Sequence, residues 1–501
     1  MVSPSLDTTC TTSQSGSETS LLMQVPLVLE GGYSPMTGRI ITANADNGQR
    51  SRYFCSASFG ILDFKQGKIP NSVYDNNSYC QTKRSIMTQS LTLTGRSPWF
   101  RRFLAVAGPG LVVMLADTDA GSVVTAAQSG AQWGYQLLLL QLVLIPILYV
   151  VQELTVRLGA VTGKGHADLI QQHFGRAWAW VSVVTLLIAC VGALLTELSG
   201  LAGVGTMYGI PAWLTMVAVV GGLAVMALTG SYQSVERIAL AVGAFELVFV
   251  VVAWKAHPDL AAVARQSVDI PVTNGKYLYL VAANIGAVIM PWMVFYQQSA
   301  VVEKKLGRDD LRAARWDTAI GAVVTQVIMA AVLMATAATL AKAGSQAQLD
   351  TVQDIANAIT PFLGQFNGRL LFAMGMTGAA LVATIVVTLT AARTLGELMR
   401  YKHSLEHSPR EAPWFYAVYI CTLVVGAIVV TSGIDLVRLS VGVQVLNALL
   451  LPIVLGFLFL LGRKLPQPYR LQGGYAGLVV AVIAVTVALG VYSGIAGMMG
   501  S

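Results

Sequence analysis

The chain has 501 residues, of which 55% are hydrophobic and only 11% charged, and its net charge is +7. A soluble domain carries roughly 25% charged residues, so the composition excludes a water-facing surface of this size. The positive balance does not indicate nucleic acid, because the basic residues stand in short loops between apolar runs, as membrane topology requires.

Residues 1–97 are rich in Ser, Thr, Asn and Gly and lack sustained apolar periodicity, a composition that favours disorder. They have neither the basic start nor the continuous apolar core of a signal peptide. Met87 opens the stretch MTQSLTLTGRSPWFRRF, which is similar to a short bacterial cytoplasmic lead-in; a native start at Met87 and a genuine tail are both open. Residues 98–501 form the membrane domain. The five cysteines, Cys10, Cys55, Cys80, Cys190 and Cys421, show no CxxC spacing and suggest no disulfide framework.

Apolar periodicity and length predict eleven spans: 103–127, 135–156, 178–204, 211–229, 235–254, 277–300, 316–341, 369–393, 413–431, 437–462 and 473–495. Each is near or above the roughly 20 residues that cross a hydrocarbon core. Arg96, Arg101 and Arg102 precede the first span. Arg157, Lys164 and Arg176 follow the second, Arg237 the fourth, and Lys304, Lys305, Arg308, Arg312 and Arg315 the sixth. Arg400, Lys402 and Arg410 follow the eighth, and Arg463, Lys464 and Arg470 the tenth. The intervening loops are poorer in Lys and Arg, which places the N-terminus in the cytoplasm and the C-terminus outside.

Two spans are interrupted at mid-depth. The first contains Asp117-Thr118-Asp119-Ala120-Gly121-Ser122, and the sixth contains Gly286-Ala287-Val288-Ile289-Met290-Pro291-Trp292. An intramembrane carboxylate costs about 2.5–3.5 kcal/mol on insertion scales and normally faces a cavity, an ion or a partner. Pro291 removes a helical hydrogen bond and frees an upstream carbonyl, and Gly121 can unwind at little steric cost. Spans one and six are the first members of two five-span halves. Interruptions at matching places in two halves point to a midplane binding site in an inverted-repeat carrier, where unwound carbonyls can hold a cation. The bland alternatives are a simple proline kink and a silently paired acid. No basic residue lies in the middle of any predicted span, which disfavours the second.

The stretches GPGLVVMLADTDAGS and GAVIMPW resemble the first- and sixth-helix motifs of the NRAMP family of divalent metal transporters. The likeness covers nearly all of residues 100–460, including RLGAVTGKGHADLI and WDTAIGA. It implies an all-α polytopic membrane protein with the LeuT-type 5+5 inverted repeat and an eleventh transmembrane helix. It implies a carrier that moves divalent cations inward by alternating access between the broken helices, without a cofactor and without enzymatic activity. On this resemblance Asp119 matches the metal-binding aspartate, Ala287 the alanine whose carbonyl ligates, and Met290 the thioether ligand. Ser122 stands at a ligand position, and Gln444 in QVLNALLLP falls in the Gln-containing stretch of the tenth helix. Glu197 and Asp117 are candidates for a proton route or the cavity wall. The family's usual motifs are Asp-Pro-Gly-Asn and Ala-x-x-Met-Pro-His. Here Ala120 replaces Pro, Ser122 replaces Asn and Trp292 replaces His. The third-span carboxylate pair is reduced to Glu197, and the ninth span lacks the family's basic pair.

Soft sulfur at Met290 suits Mn²⁺ or Fe²⁺. A short hydroxyl at Ser122 leaves room for the waters that Mg²⁺ surrenders reluctantly, and a related branch of the family carries Mg²⁺. Both ion classes stay open. Glu153 and Arg157 read as a helix-end ion pair, and His166, His173, His257, His403 and His407 as solvated loop residues. Two rivals remain. One is an amino-acid carrier of the same fold, which the Asp119 charge would oppose. The other is a non-transporting membrane metal sensor, whose relatives carry large soluble C-terminal domains. No HExxH, GxSxG or nucleotide loop supports an enzyme. The expected setting is the lipid bilayer of a bacterial inner (plasma) membrane, with divalent metal ions as partners and no nucleic acid. The sequence fixes no oligomeric state, and a monomer accommodates every feature.

Overall fold

The computed structural model describes residues 103, 106–340, 349–359, 361–433 and 435–500, together with five strands nearer the N-terminus. The chain divides into two compact units, Met1–Gly95 and Arg96–Ser501. In the first, β1 (Cys10–Ser15), β2 (Glu18–Leu29), β3 (Gly32–Thr42), β4 (Tyr53–Ser56) and β5 (Ile61–Asp63) form an antiparallel sheet in sequential order. These strands fall within residues 1–97, and β2 includes the apolar runs Leu21-Leu22-Met23 and Leu27-Val28-Leu29. The candidate start at Met87 lies outside the described residues.

The described residues of the second unit are helical. Span one is α1 (Pro109–Asp117) plus α2 (Ala120–Trp133), bent by 48°. Span two is α3 (Leu138–Thr162), followed by the short α4 (His166–Phe174). Spans three and four are α5 (Arg176–Met207) and α6 (Ala212–Thr229). Span five is α7 (Tyr232–Gly243), a 3₁₀ turn over Ala244–Leu247, and α8 (Val248–Lys255), with α9 (Leu260–Gln266) after it. Span six is α10 (Gly275–Val288) plus α11 (Pro291–Glu303). Span seven is α12 (Leu311–Leu340), and α13 (Val352–Ile359) lies in the following loop. Spans eight to eleven are α14 (Gln365–Met399), α15 (Pro413–Thr431), α16 (Leu436–Lys464) and α17 (Gly473–Gly500). Among the described residues ten helices are long and apolar enough to cross a membrane, or eleven with the bent pair counted as one. The eleven expected spans are therefore all present.

Burial sorts the spans. In span six 89% of the central stretch is buried, against 17% in span four and 28% in span eleven. Exposed Trp213, Leu214, Val217 and Val225 on α6, and Leu478, Val485 and Tyr492 on α17, give the apolar outer face that lipid requires. The first half of span six packs against spans ten and eleven. Gly286 permits the closest approach: a Cβ there would collide with the backbone carbonyl of Gln444.

The N-terminal end of α1 is tied down by polar contacts. Asp317 Oδ2 accepts from the backbone N–H groups of Gly108 (3.2 Å) and Gly110 (2.7 Å). A carboxylate there satisfies orphan donors and opposes the helix dipole. Lys304 Nζ donates to Ala107 O and to Glu236 Oε1, both at 2.8 Å. Spans five, six and seven thus share one anchor on span one. The expected Glu153–Arg157 pair is present at 2.7 Å, and Arg315 joins it from span seven at the same distance.

His166 overturns its expected place among solvated loop residues. It opens α4 and is fully buried. Gln298 gives its amide hydrogen to Lys164 O at 2.8 Å. Its Oε1 therefore accepts from His166 Nδ1, also at 2.8 Å, which leaves the proton on Nδ1. Burial pushes the imidazole down to about 4 despite this bond. Because the folded value lies below the unfolded one, the stabilisation is complete above pH 6.5 and is lost as the pH falls toward 4. The loss attributable to His166 reaches about 2 kcal/mol by pH 5. The fall in Tm between pH 7 and pH 5 is expected to be larger in the wild type than in His166→Asn; parallel falls would remove His166 as the cause.

Candidate functional site

Each helix break is explained by its own residues. In span one the backbone leaves the helix at Thr118 and re-enters after Asp119, which is extended (φ −69°, ψ 171°) and serves as the N-cap of α2. Asp119 Oδ1 accepts from Ser122 N at 2.6 Å, a standard capping contact. The break therefore falls at Thr118–Asp119, and Gly121 lies inside α2 rather than in the unwound segment. Its service is proximity: a Cβ on Gly121 would stand 2.7 Å from Gln444 Nε2. In span six Ile289 and Met290 are non-helical and Pro291 starts α11, where its missing N–H costs nothing. Pro291 is also the residue whose N–H would have paired with Ala287 O in a continuous helix.

That freed carbonyl is met from across the site. Ser122 Oγ donates to Ala287 O at 3.1 Å, so the two breaks touch through two of the expected ligand positions. Asp119 Oδ2, beside them, has no hydrogen-bond partner among the described residues, and Asp119 is fully buried. Glu197 on span three reaches the same break. Its Oε2 accepts from Ala120 N at 2.9 Å, its Oε1 from Thr196 Oγ1 at 3.1 Å, and its carboxyl lies beside Asp119. Gln444 Oε1 accepts from Asn447 Nδ2 at 2.8 Å.

The structure thus brings together Asp119, Ser122, Ala287, Glu197 and, through Gly121, Gln444. Met290 is buried at the second break, but its sulfur is engaged by Trp292 Nε1, 3.2 Å away. Asp117 ends α1 beside Thr325, and among the described residues neither of its oxygens is within hydrogen-bond geometry of a partner. Among the described residues no three His, Cys, Asp or Glu side chains form a metal-holding group. Any cation here would be held by carboxylate together with neutral oxygen and sulfur donors.

Sequence reasoning missed two residues. Glu246, in the 3₁₀ turn of span five, is fully buried, lies against Thr118, and is within electrostatic reach of Asp119 and Asp117. An acid in the middle of the apolar stretch 235–254 was the available signal. Asn447 was the other, three residues after Gln444 and so on the same helix face.

Eleven spans with two unwound helices opposed at their core define the class of the second unit: an all-α integral membrane domain of the LeuT type, with two inverted five-helix repeats and an eleventh helix. The family model described as Nramp, Natural resistance-associated macrophage protein-like, matches residues 110–496, and the chain belongs to that family. It is 27% identical over 350 residues to a divalent metal cation transporter, MntH, of Klebsiella pneumoniae (strain 342), covering 68% of this chain and 82% of that protein. A MntH of Mesorhizobium japonicum is 26% identical over 319 residues, covering 60% and 69%. The fold is shared with the crystal structure of an Eremococcus coleocola manganese transporter at TM-score 0.67 and 19% identity, covering 81% of this chain and 90% of that one. It is shared more distantly with the nucleobase-cation-symport-1 transporter Mhp1, at TM-score 0.52 and 16% identity, covering 78% and 91%.

Proposed function

We propose that this chain carries divalent metal cations across a bacterial inner membrane, inward, by alternating access around Asp119. The observation that carries the reading is the unpartnered, fully buried Oδ2 of Asp119 beside the Ser122–Ala287 contact. A buried carboxylate oxygen without a partner is costly, and a cation there would offset the cost. The carbonyl freed by Pro291 supplies a second hard donor, Ser122 a third, and Met290 and Gln444 complete the candidate set. The neighbouring Glu197 carboxyl is a further acidic group beside Asp119. Curated relatives named as divalent metal cation transporters favour the same cargo. Mn²⁺ or Fe²⁺ and Mg²⁺ are the candidate ions. An amino-acid cargo fits poorly, since Asp119 would repel its carboxylate.

The expected topology puts the N-terminus in the cytoplasm and Ser501 outside, following the Lys and Arg loops. A reporter fused after Ser501 should be reached from outside, and one placed between Lys304 and Arg308 only from inside. The function is tested by reconstituting the full chain and following Mn²⁺ and Mg²⁺ uptake with an inward-negative potential. That potential contributes about 2.3 kcal/mol per charge per 100 mV. Saturable uptake of at least one ion is expected; vesicles that take up neither, with correctly inserted protein, would refute the reading.

A further inference from the structure

Trp292 and Met290 stand on either side of Pro291, and both are fully buried. The indole Nε1–H donates to the Met290 sulfur at 3.2 Å. A buried Trp needs an acceptor for its single N–H, and a thioether is a weak one. The indole has nevertheless taken the sulfur, because Pro291 starts α11 and sets Met290 extended just before it (φ −90°, ψ 141°). We propose that Trp292 sets the ion preference of the site by holding the Met290 thioether as a hydrogen-bond acceptor, which disfavours soft cations relative to harder ones. The inference rests on the metal-carrier reading of the same site.

The physical argument is one of donor strength. A thioether binds a soft cation through lone-pair density. One lone pair is now directed at the indole hydrogen, and the positive end of the N–H dipole lies beside the sulfur. A cation approaching the other lone pair meets a poorer donor and an unfavourable dipole. The hard donors are untouched: among the described residues Asp119 Oδ2 has no hydrogen-bond partner, and Ala287 O accepts from a serine hydroxyl that can turn away. The site should therefore discriminate less toward Cd²⁺ than a free thioether would.

Trp292→Phe removes the N–H and keeps an aromatic ring. In the full-length protein, competition of Cd²⁺ against Mn²⁺ should shift toward Cd²⁺ by about three- to tenfold, equivalent to the net worth of one hydrogen bond. The gain should vanish in the Trp292→Phe, Met290→Ala double variant. Met290→Ala alone supplies an arm that does not depend on the folding of Trp292→Phe. With the sulfur already engaged, it should change the Cd²⁺ to Mn²⁺ ratio by less than about threefold. A tenfold loss of Cd²⁺ preference in Met290→Ala would overturn the inference, as would an unchanged or lowered preference in Trp292→Phe. Asp119→Asn separates the two failures. If it abolishes binding of both ions while Trp292→Phe changes nothing, the site stands and Trp292 has no part in selectivity. If it binds both ions normally, the site reading and this inference fall together.

Discussion

Asp119→Asn is expected to reduce metal uptake at least about a hundredfold while leaving the protein folded. Asparagine is as good an N-cap as aspartate, so the contact to Ser122 N survives and the start of α2 keeps its geometry. What disappears is the negative charge at Oδ2. A full charge within a few ångströms of a divalent ion is worth several kcal/mol even at an effective dielectric near 20, well beyond the two decades claimed. Removing a buried charge that sits beside the Glu197 carboxyl should hold or raise the Tm of the purified protein. Asp119→Ala should abolish uptake equally and in addition lose about 1 kcal/mol through the missing cap. Uptake in proteoliposomes, with Tm as the folding control, gives the comparison. Near-normal uptake by Asp119→Asn would place the transported ion elsewhere.

The spans were legible because long apolar runs leave few alternatives to crossing a membrane, and all eleven are present. The breaks were legible as positions, from a carboxylate in one apolar run and a proline in the other. Their detailed form was not. Gly121 can unwind at little steric cost, yet the helix parts at Thr118–Asp119 because an aspartate can cap a new helix and so compensates for the interruption itself. His166 reads as a solvated loop residue in sequence, but Phe295 packs edge-on against its ring at 4.7 Å and Gln298 accepts a hydrogen bond from its Nδ1. Both partners come from span six, more than a hundred residues along the chain. Glu246 was passed over because periodicity counts residues within a span and says nothing of what two spans bring face to face. The Trp292–Met290 contact depends on side-chain rotamers beside a proline, which composition and spacing do not encode.

Glu197 offers the sharpest separation of a structural acid from a proton carrier. Its Oε2 accepts from Ala120 N at the start of α2 and so ties span three to the break, while its Oε1 accepts from Thr196 Oγ1 on its own helix. The amide oxygen of glutamine can accept from Ala120 N as the carboxylate does. Glu197→Gln is therefore expected to keep uptake within about tenfold of the wild type, the loss reflecting one less negative charge beside the ion. Glu197→Ala leaves Ala120 N, which is buried, without its acceptor, at about 1–3 kcal/mol. With the break no longer held, its uptake should fall further than that of Glu197→Gln. No described histidine lies on a span, Trp292 fills the position where the family has one, and Asp119 must stay ionised to attract the metal. Metal movement is accordingly expected to proceed with little proton flux, driven by the ion's own gradient and the membrane potential. Proteoliposomes loaded with a pH-sensitive dye report that flux directly. Acidification in fixed proportion to metal uptake, present in the wild type and absent in Glu197→Gln, would make Glu197 the proton carrier and overturn the structural assignment. Unchanged metal uptake and negligible acidification in both would leave it as the acceptor that keeps the two halves of span one in register.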